Sequence, residues 1–102
     1  MQTVHAAPAG LPHHFSDIEV QTRHIMDYLT AQIKANGSDW DHCHHVRIWL
    51  INPRRDYRGF SRVWRELFPD SSKAPALAFV PATATMYPGP LIEIDPTCVV
   101  RP

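Results

Sequence analysis

The first regular pattern of hydrophobic and polar positions begins at Ile18. Apolar side chains recur at helical spacing from there to Ile33, which predicts an amphipathic helix. Ser16 and Glu19 have the spacing of a capping box, in which the hydroxyl and the carboxylate each satisfy a free amide of the first turn. Asn36-Gly37 provides a left-handed stop at the other end.

Three shorter patterns follow. The segment Val46–Ile51, "VRIWLI", alternates and is rich in branched and aromatic residues, so it predicts a strand that ends at Asn52-Pro53. A second helix is predicted after Asp56, with Tyr57, Phe60, Trp64 and Leu67 or Phe68 on one face, ending at Phe68-Pro69. Gly59 weakens this helix slightly. Residues 76–80 predict another strand and residues 81–90 a turn-rich loop.

The last segment, "GPLIEIDPTCVV", predicts a strand whose apolar content suits burial on both faces. Glu93 and Asp95 interrupt this content on one face. A carboxylate inside such a strand must be paired, protonated or used chemically. Glu93 is therefore a candidate acid/base residue, and a structural ion pair is the alternative.

The order helix, strand, helix, strand, strand predicts an α+β fold, a sheet with two helices on one face. The 102 residues suffice for one domain. The first 15 residues contain two prolines and little periodicity, so we predict an arm over 1–15 and a domain over 16–102.

Charge and composition narrow the function. Ten basic and ten acidic side chains give no net charge, which argues against a protein that binds nucleic acid or other polyanions through its overall charge. No apolar run is long enough to span a membrane, and the first residues do not have the pattern of a signal peptide, so a cytoplasmic location is predicted. Cys43 and Cys98 form no metal-spaced pair, and reduced, packed thiols are expected.

Two polar clusters have alternative interpretations. The run "DHCHH" at residues 41–45 contains metal-ligand types, but neighbours in sequence point in different directions, and a turn into the strand is favoured over a metal site. Four arginines at helical spacing could face an anion or RNA, although a solvated helix face is favoured: Arg54, Arg58, Arg62 and Arg65. Arg47 differs, because its strand position could pair it with a carboxylate.

Several blocks resemble the reactive intermediate deaminase (YjgF/Rid) family. The segment "DIEVQTRHIMDYLTAQIKANGSDWDHCHHVRIWLIN" is similar to its helix, Gly-ended turn and strand; "DYRGFSRVWRELFPD" resembles its second helix and "PLIEID" its closing strand. The resemblance implies a chorismate-mutase-like fold, a homotrimer, and small-molecule clefts at the subunit interfaces. Family members carry an N-terminal β-hairpin, which is reduced or missing here, so a partner strand could complete the sheet.

The resemblance also implies candidate site residues. Many members hydrolyse enamines and imines derived from amino acids, and for such an activity in this chain we expect no metal or organic cofactor. Glu93 matches their glutamate, which acts through water. Pro75 stands where their carboxylate-binding arginine is expected, Leu77 where many have a cysteine or a small polar residue, and Ser61 where some have an asparagine. Arg47 would lie on the strand face directed to the trimer centre.

Two functions follow from these observations. The first is a Rid-like hydrolase or lyase that acts on an imine, enamine or similarly activated substrate at an interface cleft, without selectivity for a carboxylate. The second is a non-catalytic trimer of the same fold that binds a small ligand or a partner chain. The retained Glu93 favours the enzyme, and Pro75 favours the binding protein.

Overall fold

A computed structural model describes residues 2–3, 17–83 and 89–100. In chain order its elements are β1 (Gln2–Thr3), α1 (Ile18–Ala35), β2 (Cys43–Leu50), α2 (Pro53–Leu67), β3 (Ala76–Pro81) and β4 (Ile92–Cys98), with a short 3₁₀ helix at Trp40–His42. The predicted α+β class and the order of helices and strands are confirmed. Most of the predicted arm, residues 4–15, lies outside the described residues. The prediction of a reduced or missing N-terminal hairpin concerns the same residues.

The sheet has the strand order β1-β4-β2-β3. Strand β2 pairs antiparallel with β4 and parallel with β3. Parallel neighbours need a crossover connection, and α2 provides it. In the described part of the chain β3 is an edge strand, and at the other edge two residues of β1 pair with the end of β4.

Both helices begin at a side-chain cap that differs from the predicted one. Asp17 is the N-cap of α1, and its carboxylate accepts a hydrogen bond from the Val20 amide, so the predicted cap at Ser16 was wrong by one residue. Asn52 caps α2, which begins at Pro53 rather than after Asp56. Proline is well suited to a first helical position because its missing N–H would have no helical partner there.

The core lies between the helices and one face of the sheet. It combines the buried side chains of α1 and α2 with alternate residues of β2 and β4, among them Ile25, Leu29, Phe60, Ile48 and Ile94. Along β4 every second residue is buried and the intervening residues are only half-buried. The prediction of a strand buried on both faces holds in full for one face and in part for the other: among the described residues, helices cover β4 on one side.

The two helices approach closely at Gly59. A Cβ atom at this position would lie 2.5 Å from Ile18 Cγ2 of α1. The glycine that weakens the helix by propensity is thus required by the contact between the helices. An ion pair between Arg23 and Glu66, 2.7 Å apart, also joins the two helices at the surface.

A disulfide joins Cys43 to Cys98, so the expectation of two reduced thiols was wrong. The cysteines are partners in the β2–β4 ladder, beside a bulge between Cys43 and His45, and their Cα atoms are 3.9 Å apart. This pairing depends on the strand register, which a sequence separation of 55 residues does not reveal. Among the described residues no helix is long and apolar enough to cross a membrane.

Candidate functional site

The sheet has one face that points away from the helices, which we call the open face. Strand register places on it Arg47 and Trp49 of β2, Ala78 and Val80 of β3, and Glu93 and Asp95 of β4. None of these side chains is in the core, and Trp49, Val80 and Glu93 are half-buried. An apolar and charged sheet surface that carries no helix among the described residues is suited to contact with another molecule.

Glu93 lies at the middle of the open face, where it is the cross-strand partner of Trp49. Its carboxylate has no hydrogen bond or ion pair with the residues that the structure describes. The indole ring beside it is a flat apolar surface, and the carboxylate is free to bind a water molecule or a substrate. This is the environment in which a carboxyl group can exchange protons with a ligand.

Arg47 pairs with Asp95 rather than with Glu93. The guanidinium Nη1 is 4.0 Å from the Asp95 carboxylate, and its Cζ atom lies 5.9 Å from the centre of the Trp49 ring. The Asp95 side chain is 15% exposed, whereas that of Arg47 is 49% exposed. Arg47 therefore forms an ion pair with Asp95 on the neighbouring strand. The exposed side of its guanidinium can still bind an anionic group.

A groove of about 370 Å³ lies on the other side of the sheet, between α2 and β3. The predicted residues Ser61 and Leu77 both line it, with Tyr57, Phe60, Trp64, Arg65 and Phe79. We call this the α2–β3 groove. Phe79 makes edge contacts with Tyr57 and Phe60, at ring-centre distances of 5.1 and 5.6 Å. The groove thus has aromatic walls, with the Ser61 hydroxyl and the Arg65 guanidinium as polar groups.

Sequence reasoning missed part of this groove. Tyr57 was predicted on the same face of α2 as Phe60 and Trp64, but it is 49% exposed, and Phe79, in the predicted strand, is 38% exposed. Arg65 was assigned to a solvated face, and its Nε donates a hydrogen bond to the Ser61 carbonyl at 3.3 Å. The available signal was alternation along β3, which places Leu77 and Phe79 on the same side.

Pro75 is buried immediately before β3. It has neither a charge nor an N–H, so it cannot form the two-pronged hydrogen bonds by which an arginine holds a carboxylate. By strand alternation it shares the side of Leu77 rather than that of Glu93.

The five predicted site residues fall into two groups within one chain. Ser61 and Leu77 line the α2–β3 groove, and Pro75 precedes the same strand, whereas Glu93 and Arg47 lie on the open face. The sheet separates the groups. A site that uses both groups must take them from different copies of the chain.

The histidine-rich turn forms no metal-binding cluster in the described ranges, since no group of three His, Cys, Asp or Glu side chains converges there. Cys43 is in the disulfide, and His42 lies 3.9 Å from Asp39. The segment leads from the 3₁₀ helix into β2, as the favoured interpretation predicted.

Comparison with known proteins identifies the family to which this fold belongs. The Ribonuc_L-PSP family model, described as endoribonuclease L-PSP, matches residues 10–100. No curated protein sequence matches the chain.

Solved structures agree with the family model. A crystal structure of an uncharacterised protein from Pseudomonas aeruginosa is 29% identical, with 99% of this chain and 81% of that chain covered and a TM-score of 0.75. A member of the YjgF protein family from Neisseria meningitidis is 27% identical over 84% of this chain and 70% of its own, with a TM-score of 0.74. A member of the YjgF/YER057c/UK114 family from Mycobacterium tuberculosis is 22% identical over 98% and 76%, with a TM-score of 0.77, and supports the fold.

Proposed function

This chain belongs to the Ribonuc_L-PSP (YjgF/Rid) family, and on that premise we propose that it is a small-molecule hydrolase or lyase that acts on an imine, enamine or similarly activated substrate. The observation that carries the proposal is the Glu93 carboxylate, which is half-buried beside Trp49 and has no hydrogen bond or ion pair among the described residues. A half-buried carboxylate with no hydrogen bond or ion pair to a described residue is in a position to accept a proton from a bound water molecule or ligand.

The reaction needs one acid/base group and water. Glu93 accepts a proton from a water molecule as the water oxygen attacks the C=N carbon, and the protonated carboxyl passes this proton to the nitrogen, which gives a carbinolamine. The Glu93 carboxylate then accepts the hydroxyl proton of the carbinolamine and delivers it to the nitrogen as the C=O bond forms and the C–N bond breaks, so the products are a carbonyl compound and ammonia or an amine. Water is the co-reactant, so the proposed chemistry uses no metal and no organic cofactor.

We assign the substrate cleft to an interface in a homotrimer. The α2–β3 groove of one copy, with Ser61 and Leu77, would be completed by Glu93 of a neighbour. The separation of the two groups by the sheet of a single chain supports this arrangement. Trp49, Ala78 and Val80 on the open face would be covered in the same assembly.

The substrate class follows from Pro75. No guanidinium stands at the position where the family resemblance places the carboxylate-binding arginine, so we expect little preference for imines that carry a carboxylate. The groove walls of Tyr57, Phe79 and Leu77 favour an apolar substituent instead.

The test combines an assay with subunit mixing. Release of a carbonyl compound is measured from freshly generated imines, with and without a carboxylate. Glu93→Gln and a groove-filling Ser61→Tyr variant are each expected to be inactive. Refolded together in equal amounts, they should recover about one quarter of the wild-type activity, because one pairing in four joins an intact groove to an intact glutamate.

Two outcomes would contradict this proposal. Absence of turnover by the wild-type protein on either imine class would exclude the enzyme. If the mixed sample recovers no activity, a site that joins the groove of one copy to Glu93 of another is excluded.

The alternative is a non-catalytic trimer of the same fold that binds a small ligand, or a partner chain that adds a strand at β3. Pro75 favours it, because the residue that would bind a carboxylate is absent at that position. The name of the family model describes RNA cleavage, but the balanced charge of this chain does not favour a polyanion as its partner. In the described ranges Arg62 lies 3.6 Å from Glu19, which supports a solvated, paired surface on α2.

A further inference from the structure

The side chain of Gln21 connects α1 to the start of β4. It is 1% exposed, although glutamine is usually a surface residue. Its Nε2 donates a hydrogen bond to the Gly89 carbonyl at 3.2 Å, and its Oε1 accepts one from the Leu91 amide at 2.7 Å. The amide group therefore binds the backbone on both sides of Pro90, as a neighbouring strand would.

Two features of the backbone show that this contact is specific. Gly89 has φ of 103°, a conformation that residues with a side chain rarely adopt, so the chain turns sharply where Gln21 binds it. The Leu91 carbonyl accepts a hydrogen bond from the Ile51 amide at 3.2 Å, and the β2–β4 ladder begins at the next residue, with Leu50 opposite Ile92. Gln21 thus binds β4 at its entry into the sheet.

The register of β4 needs such support. Side chains alternate between the two faces, and a shift by one residue would move Glu93 from the open face to the helix side. Pro96 within the strand has no N–H for the ladder. The far end of β4 is held by the Cys43–Cys98 bridge and by the Ser38 hydroxyl, which donates to the Val99 carbonyl at 2.6 Å. The near end is held by Gln21.

We infer that Gln21 is a positioning residue for Glu93: by binding Gly89 and Leu91 it sets the register and height of the strand that carries the acid/base carboxylate. This inference rests on the proposed function for its catalytic consequence. Its structural content, the control of Glu93 by a side chain on α1, can be tested without turnover.

The chain offers a matched control in the next residue. Thr22 is also fully buried on α1, but its hydroxyl donates to the Ile18 carbonyl of its own helix at 2.7 Å and not to the backbone of β4. Thr22→Val removes this buried hydrogen bond and leaves the two hydrogen bonds of Gln21 intact. Gln21→Leu removes both hydrogen bonds to β4 while keeping most of the side-chain volume. Gln21→Glu keeps an acceptor for the Leu91 amide and loses the donor to Gly89 in its ionised form.

The experiment measures kcat and KM, the melting temperature, the exchange rate of the Leu91 amide, and the carboxyl-carbon NMR resonance of Glu93. For Gln21→Leu we expect kcat to fall about tenfold or more with a small change in KM, because a misplaced acid/base group slows chemistry more than binding. Leu91 exchange should accelerate and the Glu93 resonance should move. Thr22→Val should lower the melting temperature and leave kcat and the Glu93 resonance unchanged. The kcat and the Glu93 resonance of Gln21→Glu should lie between those of Gln21→Leu and those of the wild type.

The outcomes separate the two proposals. If Gln21→Leu lowers only the melting temperature, as Thr22→Val does, the inference is wrong and Gln21 has a structural role alone. If Gln21→Leu does not fold, Gln21→Glu is compared with Thr22→Val in the same way, by kcat, melting temperature and the Glu93 resonance. If the wild-type protein has no turnover, the proposed function fails, and an unmoved Glu93 resonance in Gln21→Leu or Gln21→Glu would then overturn the inference on its own.

Discussion

Glu93 on β4 lies directly opposite Trp49 on β2, and the neighbouring carboxylate, Asp95, is the one that pairs with Arg47. The two acidic residues of the closing strand therefore have different local roles. Asp95 is mostly buried and contributes to an ion pair, whereas Glu93 is half-buried and makes no hydrogen bond or ion pair among the described residues.

The first prediction separates these roles. Glu93→Gln should abolish imine hydrolysis and change the free energy of unfolding by less than about 1 kcal/mol, because no ion pair is lost. Asp95→Asn, the matched control, should keep catalysis and lower the stability by about 1 kcal/mol, a value reduced by the half-exposure of Arg47. Urea unfolding and the carbonyl-release assay measure the two effects. A loss of about 3 kcal/mol or more in Glu93→Gln would indicate a buried ion pair instead.

The second prediction concerns the Cys43–Cys98 bridge. Reduction, or replacement of both cysteines by alanine, should lower the free energy of unfolding by about 2–4 kcal/mol, because a bridge across 55 residues restricts the unfolded chain. Denaturation with and without reductant measures this change. A mass shift after denaturation and alkylation without reductant would show that the thiols are free and that the bridge does not form.

The third prediction concerns the contact between the helices. Gly59→Ala should destabilise the protein by about 1–2 kcal/mol, although alanine favours a helix, because the new methyl group meets Ile18 Cγ2. Ile18→Leu removes that branch and keeps the volume, so Gly59→Ala should be tolerated better in its presence. An equal loss in both backgrounds would exclude the steric explanation.

Local sequence patterns predicted the ends of α1 but not the start of α2. The ends of α1 near Asp17 and Gly37 follow from residues close in sequence, and the prediction was correct to within one residue. The start of α2 was missed because Asn52-Pro53 was interpreted as the end of a strand and not also as a cap and first helical residue.

The site depended on information that local patterns do not contain. Ser61 and Leu77 line one groove, but the register that places Leu77 and Glu93 on opposite faces is a pairing between distant segments. The partner of Arg47 and the bridge between the cysteines follow from the same register. Alternation predicts which residues share a face of a strand, but not which strand lies beside it.

The fourth prediction concerns pH. Hydrogen bonds from the Ser72 hydroxyl and amide hold the pKa of the Asp70 carboxyl below its ordinary value. A lowered pKa means that this turn adds stability above the unfolded-state pKa and loses it as the pH falls through the folded-state pKa. Ser72→Ala removes the hydroxyl and should raise the pKa of Asp70, as measured by carboxyl-carbon NMR titration. An unchanged titration would show that the backbone amide alone lowers the pKa.

The last prediction concerns assembly, on which the proposed cleft depends. Val80 lies on the open face of the edge strand β3, half-buried and facing away from the helices. If three copies cover this face, Val80→Glu should place three like charges in an apolar contact and dissociate the trimer, because a carboxylate cannot be desolvated there without a partner.

Ala31→Glu is the matched control for Val80→Glu, since Ala31 is exposed on α1 and the same charge added there meets only solvent. Light scattering at micromolar concentration should give a trimer for the wild type and Ala31→Glu and a monomer for Val80→Glu. Imine hydrolysis should disappear with the trimer, because the groove and Glu93 would no longer meet. A stable wild-type monomer would exclude the interface cleft, and an active Val80→Glu monomer would show that catalysis does not need the subunit interface.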